Sequence, residues 1–443
     1  MEKPVPQSLQ RRRVLAVAVA LASTSLLAGC LGSDTPTDNG DDNTTSTGSH
    51  ADDDQLDSIS IDELATRNRR FAFDLYNDLH QANPAVNIFY SPHSISLALA
   101  MTLGGARDET ADRMREVLHF LATDELHPAF SELTSALAER SQVDDNGDPF
   151  TLNIVNSIWG QSDYPFKDDF LTLLNEYYGA TVRDVDFKTD PEGSRRTINA
   201  WVEDETADLI DELFPEGSIT EFARLVLANV VYFHAAWASA FNPDATQRSN
   251  FTAIDGTSST VDMMHQSGRF DYAEVDGHQI IELPYVGDDV TLTVILPDAS
   301  VDFTAFESAI DVQTFDGYVD AVSTRDGTIA LPRFEYEFGT SLKDVLSGMN
   351  MTIAFDPETA DFRGIADVDE TEEELFIHDI YHDAVISVDE EGTEAAAATG
   401  VIVGTTSAPS NPFEMIVDRP FIFAIRDRPT GTLLFLGRVI DID

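Results

Sequence analysis

Up to about residue 213 the apolar residues recur at helical spacing. Ser60 and Glu63 are spaced as a capping box, and Ile61, Leu64, Ala65, Phe71 and Leu75 follow at intervals near three and four. This predicts a helix beginning near Ser60. Residues 108–121 repeat the pattern, with Ala111, Met114, Val117, Leu118 and Leu121 on one side. Residues 195–213 do so again through Ile198, Trp201, Val202 and Ile210. The period then changes. Residues 225–233 are an almost unbroken apolar run, as in a strand covered on both faces. Residues 290–296 alternate Val or Leu with Thr and stop at Pro297-Asp298. Two further apolar runs, 421–425 and 433–440, flank Arg428-Pro429-Thr430-Gly431, a good hairpin turn. Helices lead and strands follow, which predicts an α+β fold. No internal repeat and no linker-like stretch divides residues 59–443, so one large domain is expected there.

The N-terminal pattern is different. Arg11, Arg12 and Arg13 precede an apolar run over residues 14–28, too short for a typical spanning helix and suited to the core of a signal peptide. Arg11-Arg12-Arg13-Val14-Leu15 resembles a twin-arginine export motif, which implies export in the folded state. Leu27-Ala28-Gly29-Cys30 resembles a lipobox, whose cysteine is lipidated and becomes the new N-terminus. Residues 1–29 are therefore expected to be removed. The protein is then expected at the outer face of the cell membrane, touching it only through the lipid on Cys30, or outside the cell. Residues 31–58 hold eight aspartates, no Lys or Arg, and many Ser, Thr and Gly. With Cys30 they read as an acidic, solvated tether.

Charge balance sharpens this picture. There are 79 acidic residues against 27 basic ones, a formal charge of −52, and only Lys3, Lys167, Lys188 and Lys343 are lysines. Such a surface repels nucleic acid and anionic headgroups, so a nucleic-acid function is excluded. The 42% hydrophobic content argues against disorder. Adaptation to concentrated salt remains, because screening there shortens the reach of carboxylate repulsion. Cys30 is the sole cysteine, so no intrachain disulfide and no multi-cysteine metal site is available.

Motifs of catalysis are missing: there is no G-x-S-x-G elbow, H-E-x-x-H, P-loop or G-x-G-x-x-G. Residues 144–148 look superficially like a calcium loop but lack the alternate ligand spacing and the distal Glu. No enzyme activity, metal or cofactor is expected. Asn43, Asn250 and Asn350 stand in N-x-T sequons.

The segment that stands out follows the strand-like residues 384–389. It reads Glu390-Glu391-Gly392-Thr393-Glu394-Ala395-Ala396-Ala397-Ala398-Thr399-Gly400. Gly392 permits backbone angles other residues resist, which suits a hinge. Four alanines and two threonines leave almost no side-chain bulk. Alanine does not demand a sheet, yet small residues slip into a crowded one where large ones overpack. An extended, uncharged run follows over 401–409. Taken alone, the stretch also reads as a flexible Ala/Gly loop or the middle of a helix.

Here the sequence resembles the serpins, the serine protease inhibitor family. Residues 390–400 are similar to the family hinge in its inhibitory form. Residues 415–425 (Met-Ile-Val-Asp-Arg-Pro-Phe-Ile-Phe-Ala-Ile) fit its C-terminal signature. Residues 89–96 (Phe-Tyr-Ser-Pro-His-Ser-Ile-Ser) are similar to the segment beneath the opening sheet. Asn229-Val230-Val231-Tyr232-Phe233 with Trp237, residues 198–202, and Met263-Met264-His265 fit too. There are departures: His234-Ala235 replaces a frequent Lys-Gly, and Thr206-Ala207-Asp208-Leu209-Ile210 replaces a Thr-Asn-Gly-Lys-Ile.

The resemblance implies about nine helices, three β-sheets and an exposed reactive-centre loop over 390–412. It implies a metastable native state that traps a serine protease irreversibly. The protease cleaves the loop, and the freed arm inserts into the central sheet before the acyl-enzyme is hydrolysed. Family spacing places the cleaved bond at Thr406-Ser407. Small, uncharged Val403, Gly404 and Thr405 suit an elastase-like or subtilisin-like target, with a cysteine protease as a further option. Ser91, Ser94, Asn229 and His382 match the polar cluster that lets the central strands part, and Trp237 marks where insertion begins. The absence of a basic helix face argues against heparin, and a monomer is expected. The alternative is a serpin-fold protein that does not inhibit: a binding or carrier module, or a chaperone.

Overall fold

The computed structural model describes residues 51–443 apart from 141, 144–148, 207, 209, 368–374, 394–411 and 443. Over 51–60, 142–143, 149–156 and 229–232 it describes the backbone alone. Cys30, the calcium-like loop, Glu394, Ala395, Ala396, Ala397, Ala398, Thr399, Thr406 and Ser407 lie outside the described residues.

The central sheet contains β2 (Gln142–Val143), β3 (Pro149–Gln161), β4 (Val182–Val185), β5 (Leu225–Ala236), β11 (Phe334–Ser341), β12 (Tyr381–Val388) and β13 (Gly392–Thr393). Its order is β11-β12-β13-β5-β3-β2, with β4 alongside β3. The remaining strands are β1 (Ile88–Tyr90), β6 (Gln247–Thr252), β7 (Ser258–Val275), β8 (His278–Pro284), β9 (Val290–Leu296), β10 (Ser323–Pro332), β14 (Phe413–Ile416), β15 (Phe421–Asp427) and β16 (Leu433–Val439). They run continuously in the order β1-β16-β15-β9-β8-β7-β10-β14, with β6 also on β7. This surface is two sheets sharing one long strand. The first part of β7 pairs with β6 and β10, and its last residues, 271–275, pair with β8. Gly268 faces Gly327 in the first part, and a Cβ on Gly327 would lie 2.2 Å from the Phe413 ring. The fold therefore has three sheets.

Nine α-helices occur among the described residues. They are α1 (Ala51–Ala82), α2 (Pro92–Leu103), α3 (Asp108–Val117), α4 (Thr123–Ala138), α5 (Asp168–Tyr178), α6 (Pro191–Glu205), α7 (Phe303–Ala309), α8 (Val312–Ala321) and α9 (Lys343–Leu346). Helix α1 begins at Ala51, so Ser60 is not its cap, and the helix takes in residues expected in the tether. Extending an already nucleated helix costs little, since each added residue brings one hydrogen bond. Helix α3 stops at Val117, although Leu118 and Leu121 beyond it are still buried. Helix α6 ends at Glu205 rather than near 213. The Thr206 hydroxyl donates back to the Val202 carbonyl at 2.8 Å and accepts from the Ile210 N–H at 3.2 Å, which turns the chain.

Alternate residues of the central strands point to opposite cores. Ile158, Leu225 and Leu227 face the main core with α2. Trp159, Val226 and Ala228 face a second cluster with Ile198, Trp201 and Val202 of α6. Helices α2 and α6 thus lie on opposite faces of the sheet. In β12, His382, Ala384, Ile386 and Val388 are buried on the α2 face, while Tyr381 and Val385 pack against the α6 cluster.

Candidate functional site

The site is where β13 enters the central sheet. Val388 pairs with Thr393 on one side, and Gly392 and Thr393 pair with Ala236 and Ala235 of β5 on the other. Sequence reasoning placed residues from Glu390 onward in an exposed loop; the structure corrects this. Glu390, Gly392 and Thr393 are buried and Glu391 is half-buried. Gly392 also serves differently from expectation. Its φ is not positive; its hydrogen is needed because a Cβ would sit 2.0 Å from the Ala235 carbonyl oxygen.

Anchors from distant parts of the chain hold this hinge. The Trp237 indole N–H donates to the Asp389 carbonyl at 2.9 Å, and its backbone N–H donates to the Glu391 carbonyl at 2.9 Å. The Phe241 N–H donates to the Glu390 carbonyl at 2.8 Å. The Trp237 ring stacks on Tyr285 with centroids 4.6 Å apart, and the Tyr285 hydroxyl lies 2.8 Å from the Thr393 hydroxyl. The Glu390 carboxylate pairs with the Arg333 guanidinium and accepts from the Thr246 hydroxyl. Burial by itself would raise the Glu390 pKa. The Arg333 and Thr246 contacts outweigh it and hold the carboxyl below its ordinary range.

Below the hinge lies the polar cluster. Ser91 caps α2 by accepting from the Ser94 N–H at 3.1 Å, and the Ser91 N–H donates to His382 Nε2 at 3.1 Å. That bond needs an unprotonated Nε2, and burial pushes the His382 pKa down to about 4. The Asn229 backbone pairs with Asn156 at this level of the sheet; its side chain lies outside the described residues. Ser91, Ser94 and His382 are therefore neighbours in the structure.

Between β5 and β12 there is a slot. Both strands pair with β13 at its top, and among the described residues neither pairs with the other beneath it. Its lower part is a cavity of about 700 Å³. Ile95 and Leu99 of α2 form the floor, Leu225–Leu227 and Tyr381–His382 the walls, and Phe214 and Ile219 the cover. Among the described residues no strand lies between these two edges below Thr393, an arrangement that suits a further strand.

Sequence reasoning found Trp237, Gly392, Thr393, Ser91, Ser94 and His382, but missed Arg333, Thr246, Phe241, Tyr285 and Phe214. Nothing local marks these five, because each acts through a contact far along the chain. Among the described residues no group of three or more His, Cys, Asp or Glu is placed to hold a metal ion.

Comparison with known proteins accords with this geometry. A family model described as "Serpin (serine protease inhibitor)" matches residues 66–442. Mouse antithrombin-III is 36% identical over 384 residues, 85% of this chain and 81% of that protein. Bovine leukocyte elastase inhibitor is 36% identical over 390 residues, 86% of this chain and 99% of that protein. An uncharacterised serpin-like protein from Thermococcus kodakarensis is 39% identical over 375 residues, 84% of each chain. Among solved structures, the cleaved Serpin 42Da superposes with a TM-score of 0.77 at 30% identity, covering 87% of this chain and all of that one. The native thermophilic serpin tengpin gives 0.74 at 27% identity, covering 86% and 94%. A family match over most of the chain, the three-sheet fold and a hinge seated between β5 and β12 together place this chain in the serpin family of protease inhibitors.

Proposed function

We propose that this protein inhibits a serine protease irreversibly by inserting its own cleaved loop into the slot between β5 and β12. The observation that carries the reading is β13: Gly392 and Thr393 already pair with β5, and Thr393 with β12, as the first rungs of an inserted strand would. Continuing that register one residue at a time sets Thr399 opposite Asn229 on β5 and His382 on β12. It sets Val403 opposite Leu225, where β5 begins. The slot thus accepts an arm reaching from Thr393 to Val403, just short of the Thr406-Ser407 bond. Thr393, Ala395, Ala397, Thr399, Val401 and Val403 would face α2, and Glu394, the arm's one charged residue, would face outward.

The target's serine oxygen attacks the Thr406 carbonyl. The peptide bond breaks, the Ser407 amine leaves with a proton, and the protease remains bound through an ester. Insertion then competes with hydrolysis of that ester. The small residues before the bond suit an elastase-like or subtilisin-like target. The N-terminal motifs support export and a lipid anchor at Cys30, and the acidic surface supports action in concentrated salt. A carrier or chaperone role is disfavoured by Ala395–Ala398 and Thr399, which bring no bulky, charged or proline residue to that part of the hinge.

The test is incubation of the full chain with subtilisin in molar salt, followed by a denaturing gel. A surviving higher-mass band is expected. Cleavage without that band refutes inhibition, and a nicked product that melts no higher than the intact chain refutes insertion.

A further inference from the structure

Two N-x-T sequons lie among the described residues, and the backbone presents them differently. Asn250-Phe251-Thr252 is part of β6. Every residue of that strand pairs with β7, Asn250 with Thr260, and Phe251 is buried. Asn250 and Thr252 are exposed, but the backbone that carries them is held along one whole edge. Asn350-Met351-Thr352 stands at a corner instead. Ser347–Met351 and Thr352–Phe355 are short helical turns, and the chain kinks there because Asn350 takes φ 82° and ψ 23°. Leu346, Met351 and Ala354 are fully buried and pin the corner to the core, while Asn350 and Thr352 are exposed. Space is open beside them: a Cβ on Gly348 would meet nothing within 4 Å.

Left-handed backbone tolerates Asn and Asp, which by itself would account for a residue of this kind at 350. Usage in this chain separates the two. Seven described non-glycine residues have positive φ. Five are aspartates, at 108, 163, 208, 276 and 288, one is His119, and Asn350 is the single asparagine. Its amide makes no hydrogen bond among the described residues. Asn83, Asn87 and Asn199 each donate theirs to a backbone carbonyl. In a chain with 79 acids, the corner therefore carries an uncharged, unused amide two residues before an exposed threonine.

We infer that Asn350 is a site of N-glycosylation, modified in the folded protein in preference to Asn250. The Asn350 amide nitrogen attacks the anomeric carbon of a sugar carried on a lipid phosphate. The nitrogen–carbon bond forms, and the carbon–oxygen bond to the phosphate breaks. The lipid phosphate leaves with the electron pair, and the amide gives one proton to a carboxylate of the membrane transferase. The inference rests on the export reading above, because donor and transferase act at the outer face of the membrane. Twin-arginine export delivers a folded chain, so the transferase meets Asn250 within a ladder and Asn350 on a corner. Opening one corner breaks fewer contacts than lifting a six-residue strand.

The full chain with its own leader is produced in a host that N-glycosylates its surface proteins in molar salt, and the exported protein is digested with trypsin. Cleavage after Lys343 and Arg363 isolates residues 344–363 with Asn350, and cleavage after Arg248 and Arg269 isolates residues 249–269 with Asn250. The first peptide is expected to gain the mass of a sugar chain, and the second to remain largely unmodified. Asn350→Asp, the residue this chain uses at five other left-handed positions, should fold and lose that gain. Thr352→Ser should keep it. Thr352→Val, which leaves Asn350 in place, should also lose it and serves if the aspartate variant is not recovered. A wild-type chain retained inside the cell overturns the export reading and this inference with it. An exported chain whose 344–363 peptide carries no sugar, or carries it no more often than 249–269, overturns this inference alone. So does a gain that persists in Asn350→Asp or Thr352→Val.

Discussion

Exchange of Thr393 for arginine tests the hinge most directly. The Thr393 side chain is 4% exposed, and its hydroxyl meets that of Tyr285, itself buried under the Trp237 ring. Arginine loses this hydrogen bond, worth about 1 kcal/mol. It also carries a charge into a space whose near carboxylate, Glu390, is already paired with Arg333. An uncompensated buried charge costs several kcal/mol. Even if the long side chain escapes part of the way and the total is only about 3 kcal/mol, insertion slows roughly a hundredfold. Hydrolysis of the ester proceeds on the protease and is untouched. The competition therefore inverts, and the inhibitor becomes a substrate. The assay is titration of subtilisin activity in molar salt beside a denaturing gel: the cleaved band should form at the wild-type rate while the covalent band vanishes. A covalent band at wild-type yield in the Thr393→Arg chain refutes hinge-first insertion.

Further expectations follow from the same contacts. Gly392→Ala places a methyl against the Ala235 carbonyl and should unseat β13 at a cost of about 1–3 kcal/mol, read as a lower melting temperature and a changed Trp237 emission. His382 is buried with its pKa lowered from 6.5 to about 4, so the unfolded chain takes up its proton first. Its contribution is complete above pH 6.5 and declines towards pH 4, by about 3 kcal/mol, and His382→Gln should flatten that part of the stability profile. The Glu390 carboxyl is held below its ordinary value of 4.5, so its contribution is present above that pH and lost as pH falls further. Glu390→Gln should remove that acid-side dependence in denaturant titrations. With a formal charge of −52, the chain should melt at a lower temperature once molar salt is dialysed away, and an unchanged value refutes salt adaptation.

Legibility in the sequence followed the range of the interactions. Residues 290–296 were readable to the residue as β9 from Val and Leu alternating with Thr up to Pro297, although the structure buries all seven, the threonines included. The α6 boundary was not, since Ile210 and Leu213 keep a helical spacing although Thr206 has already turned the chain. The hinge was visible as a run of small residues. That its first residues are docked was not, because Arg333, Thr246 and Tyr285 hold them from other elements. Glu390 in particular is one acid among 79, and its contacts with Arg333 and Thr246 come from residues far from it in sequence.

The position of β16 has a consequence for biogenesis. It follows every other described strand in chain order, yet it lies between β1 and β15, every one of its residues is buried, and Arg438 within it reaches Glu307. Most domains settle from the N-terminal end during synthesis. Here β1, made early, meets its sheet only through β16, so this side of the sheet can close only after the chain between them has been made.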